Sequence, residues 1–268
     1  MINAPFNHGD NKNNTIRTWS PDNVIKTLDY LADRGITNLK IADEMFVLHP
    51  KHFLAICQLI INRGYNFNIW AYARIDTIKE EYLATLKKAG VNWLGLGIES
   101  GNSSIRQQVT KGKFQDINIR DIIKKINNAD ICATGNYMFG LPNDTLETMQ
   151  ETLKLALELE TGYVNFYCTM AYPGSQLHRE FSTNNPSVLP EHNMDFGWLG
   201  YSQHSYETCN LPTKYLKNSD VLRFREKAFA TYFSHQPFLD RMSAKFGRAF
   251  LKEIDKMKAI SLRRKLLE

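Results

Sequence analysis

Five places in this 268-residue chain bring together residue types able to grip a polar small molecule. They are Asp43-Glu44, Arg74, Glu99-Ser100-Gly101, Gly140-Leu141-Pro142 and Tyr172-Pro173-Gly174. Carboxylates, a guanidinium and glycine turns gathered at one rim suit a ligand with amine, carboxylate and hydroxyl groups. Polar residues at strand ends are also exposed by default and pair with one another, so the pattern argues for a site and not for a reaction. No G-x-S-x-G, H-E-x-x-H or phosphate-loop motif accompanies them, and Gly95-Leu96-Gly97 closes a strand without a third glycine. The histidines are scattered. Cys57, Cys132, Cys168 and Cys209 lie far apart with no C-x-x-C spacing, which excludes a disulfide framework and a metal site built from local sequence and leaves buried free thiols as the expectation.

What precedes each polar end is a short apolar run. Val91 to Ile98, flanked by Gly90 and Gly101, reads as a strand buried on both faces, ending in an acid, a hydroxyl and a glycine. Glu99 there either faces a ligand or caps the helix that follows. Similar runs predict strands over 38–42, 67–73, 131–139 and 163–170. Between them lie helical patterns: Pro21 onward with Val24, Ile25, Leu28 and Leu31; Pro50 to Gly64; Tyr82 to Gly90; 103–109; 117–127; and Thr145 to Glu160. Strand and helix alternate five times, the pattern of a parallel α/β sheet with right-handed crossovers, whose ligands bind where the strands end. Residues 1–180 are expected to form this unit and 181–268 a loop or lid followed by helices. Over 182–218 no period is visible, and Trp198, Tyr201, His204 and Tyr206 there either close over a ligand or pack ordinarily. Two helices, near 219–234 and 237–262, are expected to close the chain.

A formal charge of +5 is too mild to name a partner. The basic excess of the C-terminal helices reads as a solvated face, and nucleic acid is the lowest-ranked partner. No apolar run approaches a membrane span and no signal pattern opens the chain, so a cytoplasmic location is expected.

Gly97-Ile98-Glu99-Ser100-Gly101, then Thr110-Lys111-Gly112, Phe139-Gly140-Leu141-Pro142 and Tyr172-Pro173-Gly174, together resemble the radical SAM superfamily. With Ile41-Ala42-Asp43-Glu44-Met45-Phe46 and Ala73-Arg74-Ile75-Asp76 they are most similar to the branch often fused to a cobalamin-binding domain. The resemblance implies a partial (β/α) TIM-like barrel holding S-adenosylmethionine and a [4Fe-4S] cluster, with cobalamin and an electron donor in the full-length form. It also implies reductive cleavage of the cofactor to a 5′-deoxyadenosyl radical. By position, Glu99 and Ser100 would bond the ribose and amino-acid part of the cofactor, Lys111 would meet its carboxylate, and Met138, Gly140, Leu141 and Tyr172 would flank its adenine. Asp43, Glu44 and Arg74 would face cofactor or substrate. Asn143-Asp144 stands where the family has Gly-Glu, leaving the next helix cap open. The family's C-x-x-x-C-x-x-C motif and the strand before it have no counterpart here, and Met1 to Phe6 resembles the segment after the last of those cysteines. On that reading the chain is a barrel lacking its first strand, inactive alone, with an open edge at 38–42 that favours oligomerisation. The alternative is a non-catalytic barrel that binds an adenosyl ligand or a protein partner.

Overall fold

The computed structural model describes residues 17–43, 45–110, 117–192 and 197–268. Among them the order is α1 (Pro21–Ala32), β1 (Asn38–Lys40), α2 (Pro50–Arg63), β2 (Asn68–Arg74), α3 (Glu80–Lys88) and β3 (Val91–Glu99). Then come α4 (Ser103–Thr110), α5 (Ile119–Asn128), β4 (Cys132–Phe139), α6 (Leu146–Glu158), β5 (Tyr163–Cys168) and α7 (Gln176–Asn184). The chain closes with α8 (Asn218–Phe233), α9 (Gln236–Phe246) and α10 (Arg248–Ala259). The five strands pair in parallel in the order β1-β2-β3-β4-β5, a half-barrel in which sequence neighbours are spatial neighbours. The expected α/β partial barrel is what the chain forms.

Each strand splits into two sets of side chains. One set (Ile69, Ala71 and Ala73; Leu94, Leu96 and Ile98; Ala133, Tyr137 and Phe139; Val164, Phe166 and Cys168) is buried in one core with the helices. Phe53, Ile56 and Ile60 of α2 and Leu86 of α3 fill that layer from outside, each contributing about 1.5–3 kcal/mol by leaving water. The alternate set lines the concave side and is more polar: Lys40; Trp70, Tyr72 and Arg74; Gly95, Gly97 and Glu99; Asn136 and Met138; Asn165 and Tyr167.

The C-terminal helices belong to the same core through Phe224, Tyr232, Phe238, Met242 and Ile254. Phe224 meets Phe139 edge-on at 5.0 Å. Phe246 of α9 stacks on Trp93 at 5.5 Å and 13°, Arg241 donates to the Thr161 carbonyl, and the Tyr163 hydroxyl donates to Met257 Sδ of α10. Trp93, Thr161 and Tyr163 lie where β3 and β5 begin, so α9 and α10 cover the strand starts, opposite the rim where the strands end.

Two expectations need correction. The tail has three helices where two were expected: Gly247, at φ 76°, ends α9 and restarts the chain as α10. The aperiodic stretch 182–218, expected as a loop or lid, is built among its described residues from short helical turns. It holds the end of α7 and 3-10 turns at Pro186–Val188, Pro190–His192 and Gly197–Tyr201, too short to show a helical period. Part of it also covers the β5 edge. The Gln203 amide donates to the Cys168 carbonyl at 2.8 Å and accepts from the Cys168 N–H at 3.1 Å, standing in for a neighbouring strand. Buried Arg225 donates to the Phe166 carbonyl at 3.0 Å, and Leu211 N–H to Thr169 O at 2.9 Å. At the other edge β1 pairs with β2 alone among the described residues.

Candidate functional site

Because the strands run in one direction, Arg74, Glu99, Gly140 and Tyr172 come to one rim from β2, β3, β4 and β5. Glu99 is the unusual member. Its φ is 66°, a left-handed conformation that costs a residue with a Cβ about 1–2 kcal/mol. It follows an irregularity in the β3–β4 register between Gly97 and Glu99, and its side chain folds back over Gly97. A Cβ at position 97 would stand 2.7 Å from Glu99 Oε1, so the glycine makes room for the carboxylate. Burial pushes the Glu99 carboxyl above the usual carboxylate range. Among the described residues the carboxylate has no hydrogen-bond partner. The capping alternative fails: Asn102 caps α4, its Oδ1 accepting from Ile105 N–H at 3.0 Å.

The neighbours hold this end of β3 in place. Ser100 is fully buried, with its hydroxyl 3.2 Å from Thr152 Oγ1 and accepting from Asn102 N–H. That puts Ser100 behind the rim, joining β3 to α6. Gly101 N–H donates to Thr152 Oγ1 at 2.9 Å, and a Cβ on Gly101 would meet the Glu151 carbonyl at 2.6 Å. The next turn is built the same way. Gly140 has φ 79°, and a Cβ there would lie 2.6 Å from Val221 Cγ1 of α8. Leu141 N–H donates to the buried Asp144 carboxylate at 2.9 Å, and Thr148 Oγ1 donates to the same group at 2.7 Å. Burial raises the Asp144 pKa, and the bonds from Thr148 and Leu141 offset part of that rise. Asp144 thus clamps the turn while Thr145 caps α6, which settles the open question about that cap.

The other candidates fall as follows. Arg74 forms a bidentate pair with Asp76 at 2.9 and 2.6 Å. Asp43 accepts from Met45 N–H in its own turn. Met138 is half-buried on the concave side of β4. Tyr172 is exposed and stacks on Tyr201 at 5.7 Å, and Tyr201 meets Trp198 at 5.9 Å. Glu44 and Lys111 lie outside the described residues.

The sequence reading missed a network beside Tyr172. His178 Nε2 and Glu191 Oε1 are 2.5 Å apart, the Tyr201 hydroxyl donates to the other Glu191 oxygen, and Ser182 Oγ is 3.3 Å from His178 Nδ1. Burial would raise the Glu191 carboxyl, but the bonds from Tyr201 and His178 outweigh it and hold it below its usual range. These residues are thirteen and ten positions apart, and no local spacing betrays them. Of the aromatics singled out in sequence, Trp198 and Tyr201 join the rim, whereas Tyr206 bonds Glu268 at the chain's end.

A family model described as the radical SAM superfamily matches residues 5–156, more than half of the chain. The chain belongs to the radical SAM superfamily. An uncharacterized methyltransferase of Pyrococcus horikoshii is 29% identical over 170 residues, 63% of this chain and 37% of that protein. The anaerobic magnesium-protoporphyrin IX monomethyl ester cyclase of Cereibacter sphaeroides is 25% identical over 169 residues, 61% of this chain and 28% of the cyclase. The chain therefore spans only about a third of the length of these relatives. Among solved structures, the radical S-adenosylmethionine methyltransferase TsrM of Kitasatospora setae, with cobalamin and a [4Fe-4S] cluster bound, superposes with a TM-score of 0.55 at 19% identity. That alignment covers 61% of this chain and 31% of TsrM, and at such identity the likeness is one of fold.

Two groups implied by the superfamily fare differently against these residues. For S-adenosylmethionine the rim offers at Glu99 a desolvated carboxylate without a hydrogen-bond partner among the described residues, suited to an ammonium or a ribose diol. For an iron–sulfur cluster the donors do not fit. Cys57, Cys132, Cys168 and Cys209 are all buried, on four separate segments. Burial pushes Cys57 and Cys168 up to about 12 and Cys209 to about 11, which disfavours the thiolates a cluster requires. Among the described residues no three His, Cys, Asp or Glu side chains are grouped to hold a metal. Nor is any described helix long and apolar enough to cross a membrane.

Proposed function

We propose that this chain is the S-adenosylmethionine-binding barrel of a radical SAM enzyme of the cobalamin-associated branch, and that by itself it neither assembles the cluster nor cleaves the cofactor. The observation that carries the reading is Glu99: a strained, desolvated carboxylate at the end of the central strand, with no hydrogen-bond partner among the described residues. Strain of this kind is kept where a ligand uses it. When bound, S-adenosylmethionine supplies an activated sulfonium, a source of a methyl group or of a carbon radical. The protein's part is to hold it. Glu99 accepts from the ammonium or ribose hydroxyls, and Gly97 leaves space for that carboxylate. The backbone after β4, clamped by Asp144, and the Tyr172 turn after β5 flank the adenine. Ser100 and Thr152 keep the Glu99 turn in register from behind.

The buried thiols favour one other reading, a barrel that binds an adenosyl ligand without turning it over. Both readings require binding, and calorimetric titration of the chain with S-adenosylmethionine tests it: one saturable site is expected, and no heat of binding at millimolar ligand would end both. Anaerobic incubation with ferrous iron and sulfide tests the rest. No thiolate-to-iron absorption should develop on this chain, and a cluster that forms on it would refute the assignment of its cysteines as structural.

A further inference from the structure

The concave face below the rim carries a built platform. Strand register sets Lys40 opposite Trp70 and Tyr72 opposite Gly95. The Trp70 and Tyr72 rings meet edge-to-face, 4.1 Å between centroids and 89° between planes. A Cβ on Gly95 would stand 2.7 Å from Trp70 Cη2 and Cζ2 and 3.0 Å from Tyr72 Cδ1. The missing side chain on β3 is therefore what lets both rings pack against the strand at Gly95. Lys40 holds its ammonium 4.7 Å from the Trp70 ring and 5.5 Å from the Tyr72 ring. It is exposed and forms no ion pair among the described residues. Arg74, the next cation on this face, is neutralised by Asp76.

Across the sheet the face ends in amides. Asn165 Nδ2 donates to Asn136 Oδ1 at 2.8 Å, and Asn136 Nδ2 donates to the Leu96 carbonyl at 3.2 Å. These bonds use one N–H of each amide, so the second N–H of each can point into the concavity. An aromatic corner of two perpendicular rings, an ammonium without an ion pair among the described residues on one side and amide donors on the other describe a complementary ligand that is planar, π-rich and anionic. Gly95 and Glu99 are four residues apart on one strand, about 13 Å in extended chain. A ligand on the platform thus sits within one small molecule's length of the rim.

We propose that the concave face binds the substrate, and that the substrate is a planar aromatic carboxylate whose ring packs into the corner between Trp70 and Tyr72 and whose carboxylate meets Lys40. This rests on reading the Glu99 rim as the cofactor site.

The test is calorimetric titration of the whole chain with 2-naphthoate and with its uncharged twin 2-naphthamide, alongside S-adenosylhomocysteine as a separate titrant. The wild type should bind the carboxylate about tenfold tighter than the amide, the share of one charge-assisted contact. Lys40→Gln should bring the two affinities together while leaving S-adenosylhomocysteine binding unchanged. Gly95→Ala should weaken both aromatic ligands by lifting the rings, and Trp70→Leu should do the same without crowding the strands. Equal affinities for carboxylate and amide, no binding of either, or binding that survives both Gly95→Ala and Trp70→Leu would each overturn the platform. Naphthoate binding with this pattern but no binding of S-adenosylhomocysteine would uphold the platform and overturn the rim.

Discussion

Glu99 concentrates the chemistry of the rim in one side chain, and two substitutions separate its costs. Glu99→Gly relieves the left-handed strain, worth about 1 kcal/mol, and removes a buried acid. The ligand-free chain should melt a few degrees higher by calorimetry and lose its response to S-adenosylhomocysteine. The pH dependence has a definite sign. A folded-state pKa raised by burial means that the folded protein binds the proton more tightly than the unfolded one. Stability therefore falls as pH rises from the ordinary glutamate value through the raised one, while affinity for a cationic ligand grows over the same range as the carboxylate ionises. Titrations at several pH values should show those opposite trends in the wild type, whereas Glu99→Gln should lose the rise in affinity and show a shallower fall in stability, the remainder coming from Asp144. Asp144 is the second test at this scale. Asp144→Ala leaves the Leu141 N–H and Thr148 hydroxyl without their buried acceptor, a loss of about 1–3 kcal/mol visible in urea unfolding.

At the scale of elements, close approach does the positioning. Gly101→Ala drives a Cβ into the Glu151 and Thr152 backbone of α6, at 2.6 and 2.7 Å. Backbone cannot rotate aside as a side chain can, so the end of β3 has to move. Destabilisation of about 1–3 kcal/mol is expected, together with weakened cofactor binding, measured by melting and by calorimetry on the same preparation. Much of this level was legible in the sequence. Glycine stops and continuous apolar runs placed all five strands and their common polar rim. What stayed hidden was which way side chains point. Trp70-Ala71-Tyr72-Ala73 alternates between helix layer and concave face, yet both faces are covered, so the alternation shows as size rather than as polarity. Ser100 faces α6 with the same parity as Leu94, Leu96 and Ile98, while a polar hydroxyl beside Glu99 reads in sequence as part of the rim. The His178–Glu191–Tyr201 network depended on 3-10 turns that have no period to read.

For the whole molecule, α9 and α10 close one end of the half-barrel and leave chemistry to the other. Asp130 fastens that closure through Lys87 of α3 at 2.9 Å and Lys245 of α9 at 2.8 Å. Its carboxyl is lowered to about 2, chiefly by Lys245 and then Lys87. The contribution is present above the ordinary aspartate pKa and lost as pH falls toward 2. Solvent screening of this exposed group limits it to about 1 kcal/mol or less. Hydrogen exchange should show α9 loosening ahead of β3 and β4 as pH drops below about 4. Under the proposed function, the strands gather their polar ends into a cofactor cradle centred on Glu99. The most direct test of that cradle is the S-adenosylhomocysteine dissociation constant of the wild type against Glu99→Gln at neutral pH. A single site in the wild type, weakened at least about tenfold in the variant with unfolding still cooperative, is the predicted result. Equal affinities in the two proteins would contradict it.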